Sequence, residues 1–294
     1  MKRLSLLIIA FSVLLTGCSS AAGNVHFEEI TDSDRVYAME VKEAIAESER
    51  AAEESRIEES LAIIEESKRA EEESERARIE AEEAAKRVDM EGKYVSILGD
   101  DCSTYEGFIA DNLKTYYEAG RTLKSVDQTW WKQVLDRKGG MLLSNVSFEG
   151  NSVTRSCNEK KYVSALSSGG VDPDVIIIYL GMNDFLKAVN TSAFSKSYNS
   201  LLSLVKKSYP QAEIICLQMQ RPATGRQELL VNWQYAQYFN SKIAERAVSA
   251  GCRTINLYDN CEITPEYSSK STIDGIHPNV AGMEAISECI LKEI

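Results

Sequence analysis

The sequence predicts an α/β protein preceded by a long charged helix, and two observations lead to this fold class. Over residues 93–294, short apolar runs alternate with amphipathic segments, a pattern typical of a parallel sheet with helices on both faces. Over residues 36–90 the chain has neither Gly nor Pro and is rich in Ala, Glu, Lys and Arg, which favours continuous helix. The two parts of the 294-residue chain therefore differ in kind.

The N-terminus has the parts of an export signal. Residues 1–17 join a basic start to an apolar run of ten residues, which is too short to cross a bilayer comfortably. Leu15-Thr16-Gly17-Cys18 resembles the lipobox of bacterial lipoproteins, which implies cleavage before Cys18 and lipid attachment to its thiol. We therefore expect an extracytoplasmic protein, anchored by lipid in the bacterial cell membrane, with residues 18–35 as a flexible tether. The alternative is a soluble secreted protein with a stray cysteine.

The helical segment 36–90 is strongly acidic. Between residues 36 and 88 there are seventeen Asp and Glu against nine Lys and Arg, so most of the formal net charge of −12 lies there. This acidity argues against nucleic acid as a partner. We interpret the segment as a solvated stalk that lifts the C-terminal domain off the membrane. Its apolar stripe of Ile57, Leu61 and Ile64 could support self-association, although breaks in the register specify a coiled coil only weakly.

Cysteine and histidine usage argues against a metal site. The chain has seven cysteines and two histidines, with no Cys-x-x-Cys, and we expect neither a metal nor a cofactor. Cys216 and Cys289 have the surroundings of small core residues. Because an exported domain can form disulfides, Cys252 and Cys261 are the pair to test first.

Five strands and five helices are predicted in the second part of the chain. Several of the strands are apolar throughout, as expected of strands covered on both faces. The predicted strands are Tyr94–Leu98, Met141–Ser147, Val175–Leu180, Glu213–Gln218 and Thr254–Tyr258. The predicted helices are Thr129–Arg137, Lys160–Ser167, Ser192–Lys207, Gln227–Ala250 and Val280–Ile294. In such sheets a site forms beyond the carboxyl ends of the strands.

Four short motifs lie at or after predicted strand ends. They are Gly99-Asp100-Asp101, Asn145-Val146-Ser147-Phe148-Glu149-Gly150, Gly181-Met182-Asn183-Asp184 and Asp274-Gly275-Ile276-His277-Pro278. In this order, the motifs make residues 93–294 resemble the SGNH, or GDSL, hydrolase family. The resemblance implies a three-layer α/β/α sandwich with a five-stranded parallel sheet of the flavodoxin-like kind.

The resemblance also implies residue roles for ester hydrolysis. His277 would be the general base, and Asp274 would hold its tautomer and favour its charged form. The Asn183 side chain, the Gly150 N–H and the N–H of Asp101 would form the oxyanion hole. The expected substrate is a small ester or an acylated carbohydrate.

Asp101 is the departure from the family pattern, which has a nucleophilic Ser at this position. Neither Ser103, two residues away, nor Cys102, one residue away, is a simple substitute. Three hypotheses stay open: an esterase in which Asp101 attacks directly or helps His277 to position water, a catalytically silent binding domain, and a structural lipoprotein whose stalk is the functional part. Specificity would lie in the loops Thr104–Gln128 and Arg221–Gln227.

Overall fold

The computed structural model describes residues 32–86 and 88–294. The predicted signal peptide 1–17, Cys18 and most of the predicted tether 18–35 lie outside the described residues. Contacts divide the chain between residues 80 and 81 into two compact units. None of the described helices is both long and apolar enough to cross a membrane.

Helix α1 (Asp32–Lys86) is 55 residues long, which at 1.5 Å per residue corresponds to roughly 80 Å. Charged pairs one turn apart line its surface, such as Arg69 with Glu65 at 2.7 Å. Ile57, Leu61 and Ile64 are all exposed. The predicted long helix is confirmed, while its role as a stalk and its self-association remain predictions.

The second unit contains the sheet and its helices. The strands are, in chain order, β1 (Tyr94–Gly99), β2 (Met141–Ser147), β3 (Val175–Tyr179), β4 (Glu213–Leu217), β5 (Ala223–Thr224), β6 (Gln227–Glu228), β7 (Leu230–Val231), β8 (Gln234–Tyr235) and β9 (Arg253–Ile255). The helices after α1 are α2 (Trp130–Lys138), α3 (Val153–Asn158), α4 (Lys160–Ser164), α5 (Met182–Leu186), α6 (Thr191–Ser208), α7 (Ala236–Ser249), α8 (Leu257–Asn260), α9 (Ser268–Ser271) and α10 (Val280–Glu293).

The main sheet is parallel, with the strand order β2-β1-β3-β4-β9. This is the flavodoxin-like order, in which the connections change direction between β1 and β3. Gly99 at the end of β1 lies beside Ser147 of β2 and Tyr179 of β3. The carboxyl ends of the three strands thus meet at the place where such folds form their sites.

Strand β3 is apolar throughout because both of its faces are buried. Val175, Ile177 and Tyr179 belong to one core, whereas Ile176 and Ile178 belong to the other. Helices α2 and α10 cover the first face, while α3, α4, α6 and α7 cover the second. The predicted three-layer α/β/α fold with a five-stranded parallel sheet is confirmed.

Two of the predicted elements are wrong in part. Residues 227–235 belong to the short hairpins β5–β6 and β7–β8, so the predicted helix Gln227–Ala250 begins only at Ala236. The predicted strand Thr254–Tyr258 ends at Ile255, because Asn256 accepts a hydrogen bond from Asp259 N and caps α8.

Cys252 and Cys261, the pair to test first for a disulfide, are not bonded to each other. Both are free thiols, and they pack into the two different cores on opposite faces of the sheet. The Cys252 thiol donates to the carbonyl of Ala250 at 3.9 Å, and its interaction with the Cys216 thiol lowers the pKa of Cys252 to about 7.

Candidate active site

The first motif forms a tight turn at the end of β1. Asp100 accepts a hydrogen bond from Cys102 N on its Oδ1 at 3.1 Å and so caps the 3₁₀ turn Asp101–Ser103. A Cβ on Gly99 would lie 2.6 Å from the side chains of Ser103 and Ser147, so only glycine fits there. The turn places the Asp101 side chain at the carboxyl edge of the sheet.

The Asp101 carboxylate lies against the expected oxyanion donors. Its Oδ2 accepts a hydrogen bond from Asn183 Nδ2 at 2.6 Å and another from Gly150 N at 3.0 Å. Burial raises the pKa of Asp101, but its interaction with His277 and the hydrogen bonds from Asn183, Gly150 and its own N–H outweigh that effect and lower the pKa. Asp101 is therefore ionised at neutral pH.

His277 faces the other oxygen of Asp101. Its Nε2 lies 3.7 Å from Asp101 Oδ1, and its Nδ1 is 2.7 Å from Asp274 Oδ2. The backbone N–H of His277 also donates to Asp274 Oδ1 at 2.9 Å, so Asp274 fixes both the loop and the ring. Burial lowers the pKa of His277, but the two carboxylates raise it by a larger amount, so the imidazolium is favoured.

The loop Thr104–Gln128 supports the imidazole. The Tyr116 ring stacks on that of His277, with centroids 3.8 Å apart and planes 13° from parallel. Tyr117 Oη donates a hydrogen bond to the carbonyl of Pro278 at 2.7 Å. Sequence reasoning assigned this loop to specificity and missed its contact with the base, because no local signal identifies which Tyr of a loop meets a distant His.

A second loop holds the other side of the His277 segment. Gln220 Nε2 donates to the carbonyl of Ile276 at 2.7 Å, and Ala223 N donates to the carbonyl of Gly275 at 2.8 Å. Gly275 has a φ of +88°, and a Cβ there would lie 2.0 Å from the carbonyl oxygen of Ala223. Only glycine permits this contact.

The oxyanion side is fixed by buried side chains. Asp184, next to Asn183, accepts from Val153 N at 2.7 Å and from Thr154 Oγ1 at 2.8 Å, which ties α5 to α3. Asn151 Nδ2 donates to the carbonyl of Gly99 at 2.8 Å. Since the four motifs lie next to one another in space, these bonds set the distance between the donors and residue 101.

Ser103 and Cys102 do not reach the site. Ser103 is fully buried, and its Oγ has no hydrogen-bond partner among the described residues. The Cys102 thiol is also buried, and burial together with the charges of Asp100 and Asp101 raises its pKa well above the usual value. Both side chains lack the exposure and the base that a nucleophile needs.

The structure thus brings together five of the predicted site residues: Asp101, Gly150, Asn183, Asp274 and His277. Cys18 lies outside the described residues. Over 32–86 and 88–294, no group of three or more His, Cys, Asp and Glu side chains is arranged to hold a metal ion. What the arrangement offers is one carboxylate held between a carboxylate-supported imidazole and two hydrogen-bond donors.

Comparisons with known proteins identify a family and related folds. Residues 105–285 match the model of the GDSL-like Lipase/Acylhydrolase family, a segment that contains Gly150, Asn183, Asp274 and His277 and begins after Asp101. A protein assigned as a GDSL-like lipase from Bacteroides uniformis is 21% identical over 69% of this chain and 95% of its own, with a TM-score of 0.53.

Two further solved structures share the fold. One from Parabacteroides merdae, also assigned as a GDSL-like lipase, is 14% identical over 69% of this chain and 95% of its own, with a TM-score of 0.53. One from Lactobacillus plantarum is 16% identical over 70% of this chain and 97% of its own, with a TM-score of 0.56. Comparison with curated proteins gave no significant match.

Proposed function

Because the chain belongs to the GDSL-like lipase/acylhydrolase family, we propose that its domain binds an acylated carbohydrate or small ester at the cell surface without hydrolysing it. The observation that carries the proposal is the position of Asp101 Oδ2, which accepts hydrogen bonds from both Asn183 and Gly150. A side chain of the protein thus occupies the donors on which an esterase of this family would depend.

The chemistry of Asp101 supports this proposal in two ways. A serine nucleophile gives its proton to the His base, whereas an ionised carboxylate has no proton to give. A carboxylate also puts negative charge where the oxyanion must develop. At about 4 Å and an effective dielectric constant near 20, the repulsion is about 4 kcal/mol, or roughly a thousandfold in rate.

An esterase that uses Asp101 directly is the second candidate. The observation in its favour is that His277 and Asp274 keep the geometry of a general base and its orienting acid. If Asp101 attacked an ester through Oδ1, its Oδ2 would still occupy both donors and the developing oxyanion would lack them. The lowered pKa of Asp101 also makes it a weak nucleophile. These two features place this candidate second.

Hydrolysis of p-nitrophenyl acetate by Asp101→Ser separates the candidates. We expect the parent protein to show no activity above the uncatalysed rate and the variant to exceed that rate roughly 10²-fold or more, because freed oxyanion donors contribute about that much each. Asp101→Asn keeps the shape and the acceptor oxygen but supplies no hydroxyl, so it is the matched control and should stay inert. Adding His277→Ala to Asp101→Ser should remove the gain.

Two outcomes would count against the proposal. Parent activity that disappears in both Asp101→Asn and His277→Ala would favour the second candidate. A folded Asp101→Ser variant without activity would show that residue 101 is not what separates this site from an esterase. Binding itself is measured by calorimetry with O-acetylated xylo-oligosaccharides, using the deacetylated chains as control.

A further inference from the structure

The hairpin β7–β8 presents a tryptophan in a strained position. Leu230 pairs with Tyr235 and Val231 with Gln234, so the loop has two residues, Asn232 and Trp233. Their φ angles are +48° and +62°, the left-handed region that a tight two-residue hairpin requires and that normally selects Asn followed by Gly. A bulky residue in the second position is an outlier that demands a reason.

Packing within the domain does not supply that reason. The Trp233 side chain is 87% exposed, whereas Trp130 and Trp131 are fully buried. The strain of Trp233 is therefore not offset by burial of its indole against the domain. An exposed aromatic ring held in an unfavourable backbone conformation indicates a contact with something outside the chain.

A groove with cationic and hydroxyl side chains runs from this ring between α6 and α7. We call it the Trp233 groove and define it by Thr191, Lys196, Trp233, Tyr238, Lys242 and Arg246. It comprises two adjacent clefts, one of about 440 Å³ beside the indole and one of about 580 Å³ along the helices, and Thr191 and Lys242 line both. Ser192, Ser195, Asn199 and Ser200 add polar groups to its wall.

The groove is positive on an acidic protein. Neither cleft has an Asp or Glu in its lining. Glu245, just outside, pairs with Lys242 Nζ at 2.8 Å and with Arg246 Nη2 at 2.6 Å, which neutralises one of the three cations. Among the described residues no carboxylate forms an ion pair with Lys196. The remaining charge is about +2 in a chain whose formal net charge is −12.

We propose that the Trp233 groove binds an anionic glycan, a sugar chain that carries carboxylate or phosphate groups. The apolar face of a sugar ring stacks on aromatic side chains, its hydroxyls pair with Ser, Thr and Asn, and its charges pair with Lys and Arg. A membrane surface fits less well, because the groove is concave and lined mainly by polar groups. This site is separate from Asp101, so it does not depend on the proposal made for that residue.

Fluorescence titration of the full chain with alginate oligosaccharides tests the proposal. Trp233 is exposed and the other two tryptophans are buried, so a ligand in the groove should shift the emission to the blue. We expect binding to alginate that weakens as salt is added and is much weaker to neutral dextran. Trp233→Ala, whose binding is measured by calorimetry, should bind alginate about tenfold more weakly, as expected for loss of one aromatic contact. Adding Lys196→Gln and Lys242→Gln should weaken alginate binding further.

Tyr267→Ala with Lys270→Gln is the matched control. Lys270 Nζ lies 5.3 Å from the centroid of the exposed Tyr267 ring, so this pair offers the same chemistry outside the groove. The double substitution Tyr267→Ala with Lys270→Gln should leave alginate binding unchanged. The proposal is overturned if alginate does not bind, if Trp233→Ala binds it as the parent does, or if phosphatidylglycerol vesicles alone shift the emission.

Discussion

At the scale of single residues, the two oxygens of Asp101 act separately. Oδ1 faces His277, as a serine hydroxyl would, and Oδ2 takes the two donors, as an oxyanion would. One side chain thus occupies both the position that a nucleophilic hydroxyl would take and the position that an oxyanion would take. The Asp at position 101 is visible in the sequence, but its contacts with His277 and with the two donors are not, because they depend on distances among four separate motifs.

The Asp101–His277 pair should make stability depend on pH. The folded-state pKa of His277 is raised above its unfolded value of about 6.5. Its contribution to the free energy of unfolding is therefore fully present below about pH 6.5 and is lost as pH rises through the folded pKa. The folded-state pKa of Asp101 is lowered, so its contribution is present above its unfolded value and is lost as pH falls through the folded pKa. Both contributions coexist from about pH 4 to 6.5.

Asp101→Asn tests this coupling. We expect the parent to exceed the variant in free energy of unfolding by the largest amount near pH 5 to 6, with the difference shrinking above pH 7. In a His26→Gln background His277 is the only histidine, so NMR titration of its ring should give a lower pKa in Asp101→Asn than in the parent. An unchanged His277 pKa would contradict the assigned pairing.

At the scale of elements, the hairpin β7–β8 provides a second prediction. Trp233→Gly places the preferred residue at its φ of +62° and should raise the free energy of unfolding by about 1 kcal/mol. Urea unfolding followed by the fluorescence of the buried Trp130 and Trp131 measures it. Asn232→Gly is the control and should change little, because Asn tolerates this conformation. A destabilised Trp233→Gly variant would show that the indole stabilises the domain.

The elements also show where pattern reasoning works and where it fails. β3 was predictable because five consecutive apolar residues can be buried only between two layers. The hairpins at 227–235 were not, because strands of two residues are too short to show an alternation of period two, and Asn-Trp lacks the glycine that usually indicates such a turn.

At the scale of the whole molecule, the carboxyl edge of the sheet explains why the site was predictable in outline. Asp101, Gly150 and Asn183 follow β1, β2 and β3, and parallel pairing brings the carboxyl ends of these strands together, whereas His277 lies in the segment between α9 and α10. The residues that fix their distances could not be predicted. Tyr116, for example, meets His277 across more than 150 residues of chain, and no local pattern encodes such a contact.

Attachment through Cys18 is a prediction about the whole chain. We expect the expressed protein to incorporate labelled palmitate and to sediment with membranes, and Cys18→Ala to do neither, because two acyl chains are needed for stable anchoring. Cys252→Ala is the control, since that residue is a half-buried thiol of the folded domain. A Cys18→Ala protein that stays in the membrane fraction would contradict the lipid anchor.

The contact between Gly275 and Ala223 limits how this protein can be redesigned. The loop Arg221–Gln227 and the segment that carries His277 fit together with no room for a single added carbon. Tyr116, in the loop Thr104–Gln128, also packs against this segment through its stacking on His277. A chimera that exchanges Arg221–Gln227 for the loop of a relative should therefore exchange Asp274–Pro278 with it, because the two segments fit only each other.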